Sequence, residues 1–219
     1  EKTMAEFSTT KLNQVQRLPK RASYDKETIY NIVDEALICH VGFSSEGQPF
    51  VMPTIHTRID DTLYFHGAIA NRMLKHIQAE NPICVTVTLI DGIVFARSVF
   101  HHSMNYRSAM MFGKGRIVES DMEKNKVFRA LTDHIAKGRW EDARQPSQKE
   151  MDVTVVVAVE IESASAKVRT GPASDDEDDY QLPVWAGVLP LHQQVLTPLN
   201  DSQLKEHIAV PDYILHYKR

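Results

Sequence analysis

No apolar run in this sequence approaches the ~20 residues a membrane-spanning helix needs, so no membrane partner is expected. The stretch EKTMAEFSTTKLNQ lacks the apolar core of a signal peptide. Glu1–Thr3, ahead of Met4, read as the remnant of an added leader. Cysteine is scarce: Cys39 and Cys84 in 219 residues do not make a disulfide framework. Both sit inside apolar runs and read as buried free thiols, as in a reducing cytoplasm. Basic residues are not in excess; the formal net charge of −4 argues against nucleic acid as a partner. There is no G-x-G-x-x-G and no Walker motif, which removes support for Rossmann-type dinucleotide binding. Ten histidines are present, but without H-E-x-x-H, a cysteine pair or tight His/Asp/Glu spacing no metal is expected. No Ser/His/Asp or Cys/His elbow is visible either.

What is present suits one soluble domain with appendages. Apolar residues make up 42 %, enough for a core, and charged residues an ordinary 25 %. SYDKETIYNIVDEAL carries Ile29, Ile32, Val33 and Leu37 at helical spacing, with Ser23 or Asp25 as cap. LICHVGFS, FVMPTIHTRI and TLYFHG are short strands joined by tight turns, the sign of antiparallel hairpins. NRMLKHIQAENP is a short helix capped by Asn71. ICVTVTLIDGIVFARSVF reads as two strands around an Asp91-Gly92 turn, and NYRSAMMFGKGRIVES as another strand segment. Ser120 and Glu123 match a capping box that opens a helix, with Gly138 as its stop. In DVTVVVAVEIESASAK, alternation places Val153, Val155, Val157, Val159 and Ile161 on one face. SDDEDD reads as a solvated acidic loop, and a short helix is expected near Asp201–His207. No internal repeat is present. The pattern predicts a mainly β protein: an antiparallel β-barrel with flanking helices.

Three stretches could carry chemistry. In YFHGAIANRMLKHI a strand runs through a glycine turn into a helix beginning Asn71-Arg72. Free N–H groups at the helix start, the Arg72 fork and Lys75 one turn on could seat a phosphate; the same residues also suit an ordinary surface helix. Asn105, Tyr106, Arg107 and Ser108 line a polar rim, the first and third on one face and the other two on the opposite face. For Arg107, an ion pair within the barrel is the alternative to a ligand contact. Trp185 could cover a planar ligand or fill the core.

The blocks MPTIHTRIDDTLYFHGAIANRMLKHIQAENP, FARSVFHHSMNYRSAMMFGKGRIVE, HIAKGRWEDARQP and VWAGVLPL resemble the pyridoxamine 5′-phosphate oxidase-like FMN-binding proteins, nearest their flavin-nucleotide-binding and 5-nitroimidazole-resistance branch. The resemblance reaches across residues 20 to 192. It implies a six-stranded antiparallel Greek-key split barrel over residues 23–192, with an N-terminal arm (1–22) and a C-terminal extension (193–219). It implies a homodimer with FMN sites at the interface. The FMN phosphate would be held by Arg72 with Gly67, Ala68, Asn71 and Lys75, and the flavin edge would follow Pro53, Thr54, Ile55 and His56. Contacts from Asn105, Tyr106, Arg107 and Ser108, on the same or the second subunit, would complete the site. His66 aligns with a histidine near the flavin of the resistance branch and is the catalytic candidate. The basic C-terminal pattern that holds pyridoxal phosphate is missing from PDYILHYKR, so vitamin B6 chemistry is not expected. The implied function is an FMN-dependent oxidoreductase acting on a small molecule. A non-catalytic FMN carrier or sensor and a haem-binding relative are the alternatives.

Overall fold

The computed structural model describes residues 5–218; the reading of Glu1–Thr3 falls outside them. Local signals set most helix starts. α1 (Lys26–Glu35) begins where the Asp25 carboxylate accepts the Thr28 N–H at 2.7 Å. Its Ile29, Ile32 and Val33 are buried, and Leu37 lies past its end. α2 (Arg72–Gln78) is capped by Asn71, whose side chain accepts the Leu74 N–H at 3.2 Å. α3 (Asp121–Ile135) is capped by Ser120, but the Glu123 carboxylate turns to Arg116 instead of closing the box. The complete capping box is Ser147–Glu150, at the start of α5 (Gln148–Val153). Gly138 opens α4 (Arg139–Asp142) in a left-handed conformation.

The strands form two antiparallel sheets. The larger joins β1 (Ala22–Ser23), β10 (Ser163–Arg169), β7 (Ser103–Gly113), β6 (Ile83–Phe95), β2 (Ile38–Ser45) and β3 (Gln48–Ile55) in that order, with β11 (Gly187–Pro190) added on β6. The smaller runs β4 (Thr57–Ile59), β5 (Thr62–Ala68), β9 (Thr154–Glu160), β8 (Gly115–Ile117). The mainly β, antiparallel reading with flanking helices holds. More strands are present than the six implied, because short edge pieces join and FVMPTIHTRI breaks at the buried His56.

Central strand β9 is buried on both faces. Val155, Val157 and Val159 enter the main core with α1, α2 and the inner side of the large sheet. Val156 and Ala158 enter a second cluster under α3, with Tyr64, Val127 and Leu131. The one-face reading therefore missed half of it, and Val153 belongs to α5 and is exposed. Asp91-Gly92 is not a turn: β6 runs straight through it with a bulge, and β11 lies against that point. The acidic loop is only partly solvated. The Asp175 side chain is fully covered in a half-buried residue; it accepts the backbone N–H groups of Arg97 and Ser98 and pairs with the Arg97 guanidinium at 3.2 Å. Residues 201–207 form turns, and the tail helix is α6 (Asp212–Leu215) instead. Of the thiols, Cys39 is buried, its pKa pushed up to about 12 by burial, whereas Cys84 is half-buried. No described helix is long and apolar enough to cross a membrane.

Candidate functional site

The fold brings the edge strand β3 against the turn between β5 and α2. The Arg72 guanidinium lies 4.6 Å from the centre of the Phe50 ring, and Phe50 stacks on Phe43 at 5.4 Å. Such a cation–ring contact holds the fork in place while leaving its N–H groups available. Arg72 and Lys75 are exposed and have no ion pair among the described residues. On the opposite face of the sheet, Gly42, Val51, Cys84 and Phe112 are neighbours in register and line a cavity of about 460 Å3, which the strands carrying Phe43 and Phe50 border. That volume suits a planar organic ligand. These residues were not singled out in the sequence; only their convergence from β2, β3, β6 and β7 gives them meaning.

The turn is tightly built. The Asn71 N–H donates to the Ala68 carbonyl at 2.9 Å. A Cβ on Gly67 would lie 3.2 Å from Leu74 and 3.5 Å from the Asn71 amide, so a larger residue would push the turn outward. Pro53, Thr54 and Ile55 lie along β3, with Pro53 exposed and the others half-buried. His56 is fully buried; its Nε2 is 3.0 Å from the Val33 carbonyl, and its ring packs on His134 at 5.1 Å. It ties α1 to the barrel.

The NYRS residues are largely occupied within the chain. Arg107 binds the Asp91 carboxylate at 2.8 and 3.0 Å and also the Glu35 carboxylate. The hydrogen bonds to Glu35 first, then to Asp91, raise its pKa. Asn105 is buried, donates to the Gly171 carbonyl at 3.1 Å and accepts from Arg169. The Ser108 hydroxyl donates to the Lys167 carbonyl at 3.2 Å. Tyr106 is half-buried at the end of the row. Trp185 is 69 % exposed and packs on Phe95 with rings 5.8 Å apart, so it does not fill the core.

His66 is half-buried on β5, facing α3, with its ring edge-on to Phe128 at 6.0 Å. Its Nδ1 is buried and has no hydrogen-bond partner. Burial lowers its pKa, so the imidazole is neutral near pH 7. The unfolded chain, with an ordinary histidine pKa near ~6.5, takes the proton first as pH falls. Stability contributed by neutral His66 is therefore present above pH ~6.5 and is lost on acidification, down to the lowered folded pKa. Urea titrations at pH 7 and pH 5 are expected to show a smaller acid-induced loss in His66→Gln than in the parent. An equal loss would mean that other groups carry the dependence.

The family model for pyridoxamine 5′-phosphate oxidase matches residues 25–168. No curated protein matches the chain by sequence. Among solved structures, the flavocytochrome Anf3 from Azotobacter vinelandii superposes with a TM-score of 0.89 at 39 % identity, covering 95 % of this chain and 97 % of its own. The FAD and heme binding protein from Mycobacterium smegmatis gives 0.85 at 30 % identity, covering 89 % of this chain and 96 % of its own. With two thirds of its length matched by the family model and both relatives aligned almost end to end, the chain belongs to the pyridoxamine 5′-phosphate oxidase family.

Proposed function

We propose that this protein binds a flavin, FMN, and acts in the cytoplasm as a homodimeric oxidoreductase on a small molecule. The observation that carries the reading is Arg72 over Phe50, on the strand that borders the cavity. A cation without a carboxylate partner among the described residues, held at the edge of a cavity, suits a planar ring with an anionic tail. Two relatives described as a flavocytochrome and as a FAD and heme binding protein support the flavin class. Arg72 and Lys75 would hold the phosphate, and Val51 and Phe112 would keep water from the ring. When bound, a flavin supplies hydride transfer. His66, neutral and unpartnered at Nδ1, offers a place to hold a proton. A second copy is favoured by the outer face of the large sheet, where Ile38, Val51 and Ile90 stand exposed on one side. Pyridoxamine 5′-phosphate is not the proposed substrate, since PDYILHYKR lacks the basic pattern for it.

A second reading adds haem, because one relative, at 30 % identity, is described as a FAD and heme binding protein and the other, at 39 %, as a flavocytochrome. His66 fits it: the neutral imidazole is the form that ligates iron, and its Nδ1 has no other bond. Mass spectrometry of ligands released on heating, with an absorption spectrum, tests both. Released or readily taken up FMN supports the first reading, and an added Soret band supports the second. A protein that neither carries nor takes up any flavin overturns the proposal. Oxidation of a reduced nicotinamide with a panel of acceptors then separates an oxidoreductase from a carrier.

A further inference from the structure

We infer that the N-terminal arm and strand β10 form a second anion site, which takes the diphosphate of a nucleotide. Residues 12–17 of the arm cover the outer face of β6, β7 and β10 and enclose a cavity of about 430 Å3. Its walls include Arg17 and Lys167 and the hydroxyls of Thr88 and Ser108, and no aspartate or glutamate. Thr88, Ser108 and Lys167 are direct neighbours in register, so they stand in one row across the face.

Arg169 follows on the same strand face, two residues on, opposite Tyr106. It is only 9 % exposed, yet no carboxylate of the described residues pairs with it. Its Nη groups donate to Asn105 and to the carbonyls of Gly171 and Pro172, and its Nε is buried without any partner. A buried guanidinium normally has an anion beside it, because desolvating a lone charge is costly. Burial first, then the charge of Arg21, holds the Arg169 pKa below its ordinary value. Arg17, Arg21 and Lys167 also have no ion pair among the described residues. Arg17 and Lys167 on the cavity wall, with Arg21 and Arg169 next to it along β1 and β10 and no acid in the lining, suit a ligand carrying more than one negative charge.

The size of the cavity exceeds what a bare phosphate fills and lies within the range of small-molecule sites. Leu12 and Met110 add apolar wall on which a base could rest. The site goes beyond the flavin reading, for it does not involve Arg72. Phe50, beneath Arg72, is on β3, four strand steps across the sheet from β10. At about 4.8 Å per step that is roughly 19 Å.

Calorimetric titration of the full chain with ADP, and separately with inorganic pyrophosphate, tests the inference. ADP is expected to bind, and Lys167→Ala and Arg17→Ala, both on the cavity wall and open to solvent, are each expected to weaken it about tenfold, one charge-assisted contact apiece. Circular dichroism of each variant confirms that the fold is kept, so the buried Arg169 need not be altered. Arg72→Ala is expected to leave ADP affinity unchanged, whatever it does to FMN. ADP binding more tightly than pyrophosphate identifies a nucleotide as the source, and equal affinities identify the free diphosphate; both support the site. Absence of binding by either at millimolar concentration overturns it. So does binding that survives both substitutions, or that Arg72→Ala abolishes. FMN binding without ADP binding would leave the flavin proposal standing and remove this one.

Discussion

Gly113→Ala is expected to cost about 3 kcal/mol of folding stability or more, close to what a marginal domain can lose and still fold. Gly113 ends β7, where the chain crosses from the large sheet to the small one. A Cβ there would sit 2.0 Å from the Glu160 carbonyl oxygen and 3.2 Å from Val159. The first of these is backbone in β9, which is buried on both faces and cannot yield without moving both clusters. Gly42 is the matched control. It lies in β2, and its added Cβ would meet its nearest atoms at 3.5 Å or more, which is ordinary contact. Gly42→Ala is expected to change stability by less than about 1 kcal/mol. Urea unfolding midpoints measure both. Equal midpoints for the two variants would show that the crossing relaxes, and that the tight packing there is not what fixes the sheets.

The same crossing shows where the sequence was legible and where it was not. Signals that act within a few residues were readable. Asp25, Asn71 and Ser120 each cap the helix that follows them, because a cap needs only its own side chain and an N–H three residues on. Signals that depend on a distant partner were not. Asp91-Gly92 has the composition of a turn, yet β11 arrives from some hundred residues away and turns the dipeptide into the middle of a strand. A Cβ at Gly92 would meet the Leu189 carbonyl at 3.0 Å, so the glycine serves close approach and not chain reversal. Asp91 likewise spends its carboxylate on Arg107, a pairing that neither segment announces alone. Asp175 was read as one more solvated acid because its run is acidic. Its burial comes from the Arg97 and Ser98 amides, which the chain presents only after folding.

The candidate site divides along the same line. The basic turn was visible from Gly67, Asn71 and Arg72, since strand, turn and helix start are contiguous. The cavity was not, because Gly42, Val51, Cys84 and Phe112 come from four strands and meet only when the sheet forms. Arg107 was attractive as a ligand contact on chemistry alone. Glu35 and Asp91 take up its N–H groups, so of these two arginines Arg72 is the one with donors to offer.

Arg72→Ala is therefore expected to weaken FMN binding about 10- to 150-fold, the worth of one charge-assisted contact of about 1.5–3 kcal/mol. The guanidinium is already oriented by the Phe50 ring and has no carboxylate to give up, so a phosphate would gain the contact without breaking another. Arg72→Lys should recover only part of the loss. An ammonium keeps the charge but neither lies flat on the ring nor offers a two-pronged fork. Riboflavin provides the internal control, because it carries the same ring without the phosphate. Its affinity should change little in either variant, so the preference for FMN over riboflavin should collapse in Arg72→Ala and return in part in Arg72→Lys. Fluorescence titration of the apoprotein measures all three ratios. If the preference persists in Arg72→Ala, the phosphate is held elsewhere, and Lys75 one turn along is the next residue to change. If both flavins weaken together, Arg72 supports the ring through Phe50, and the loss reports the edge of the cavity instead of the anion.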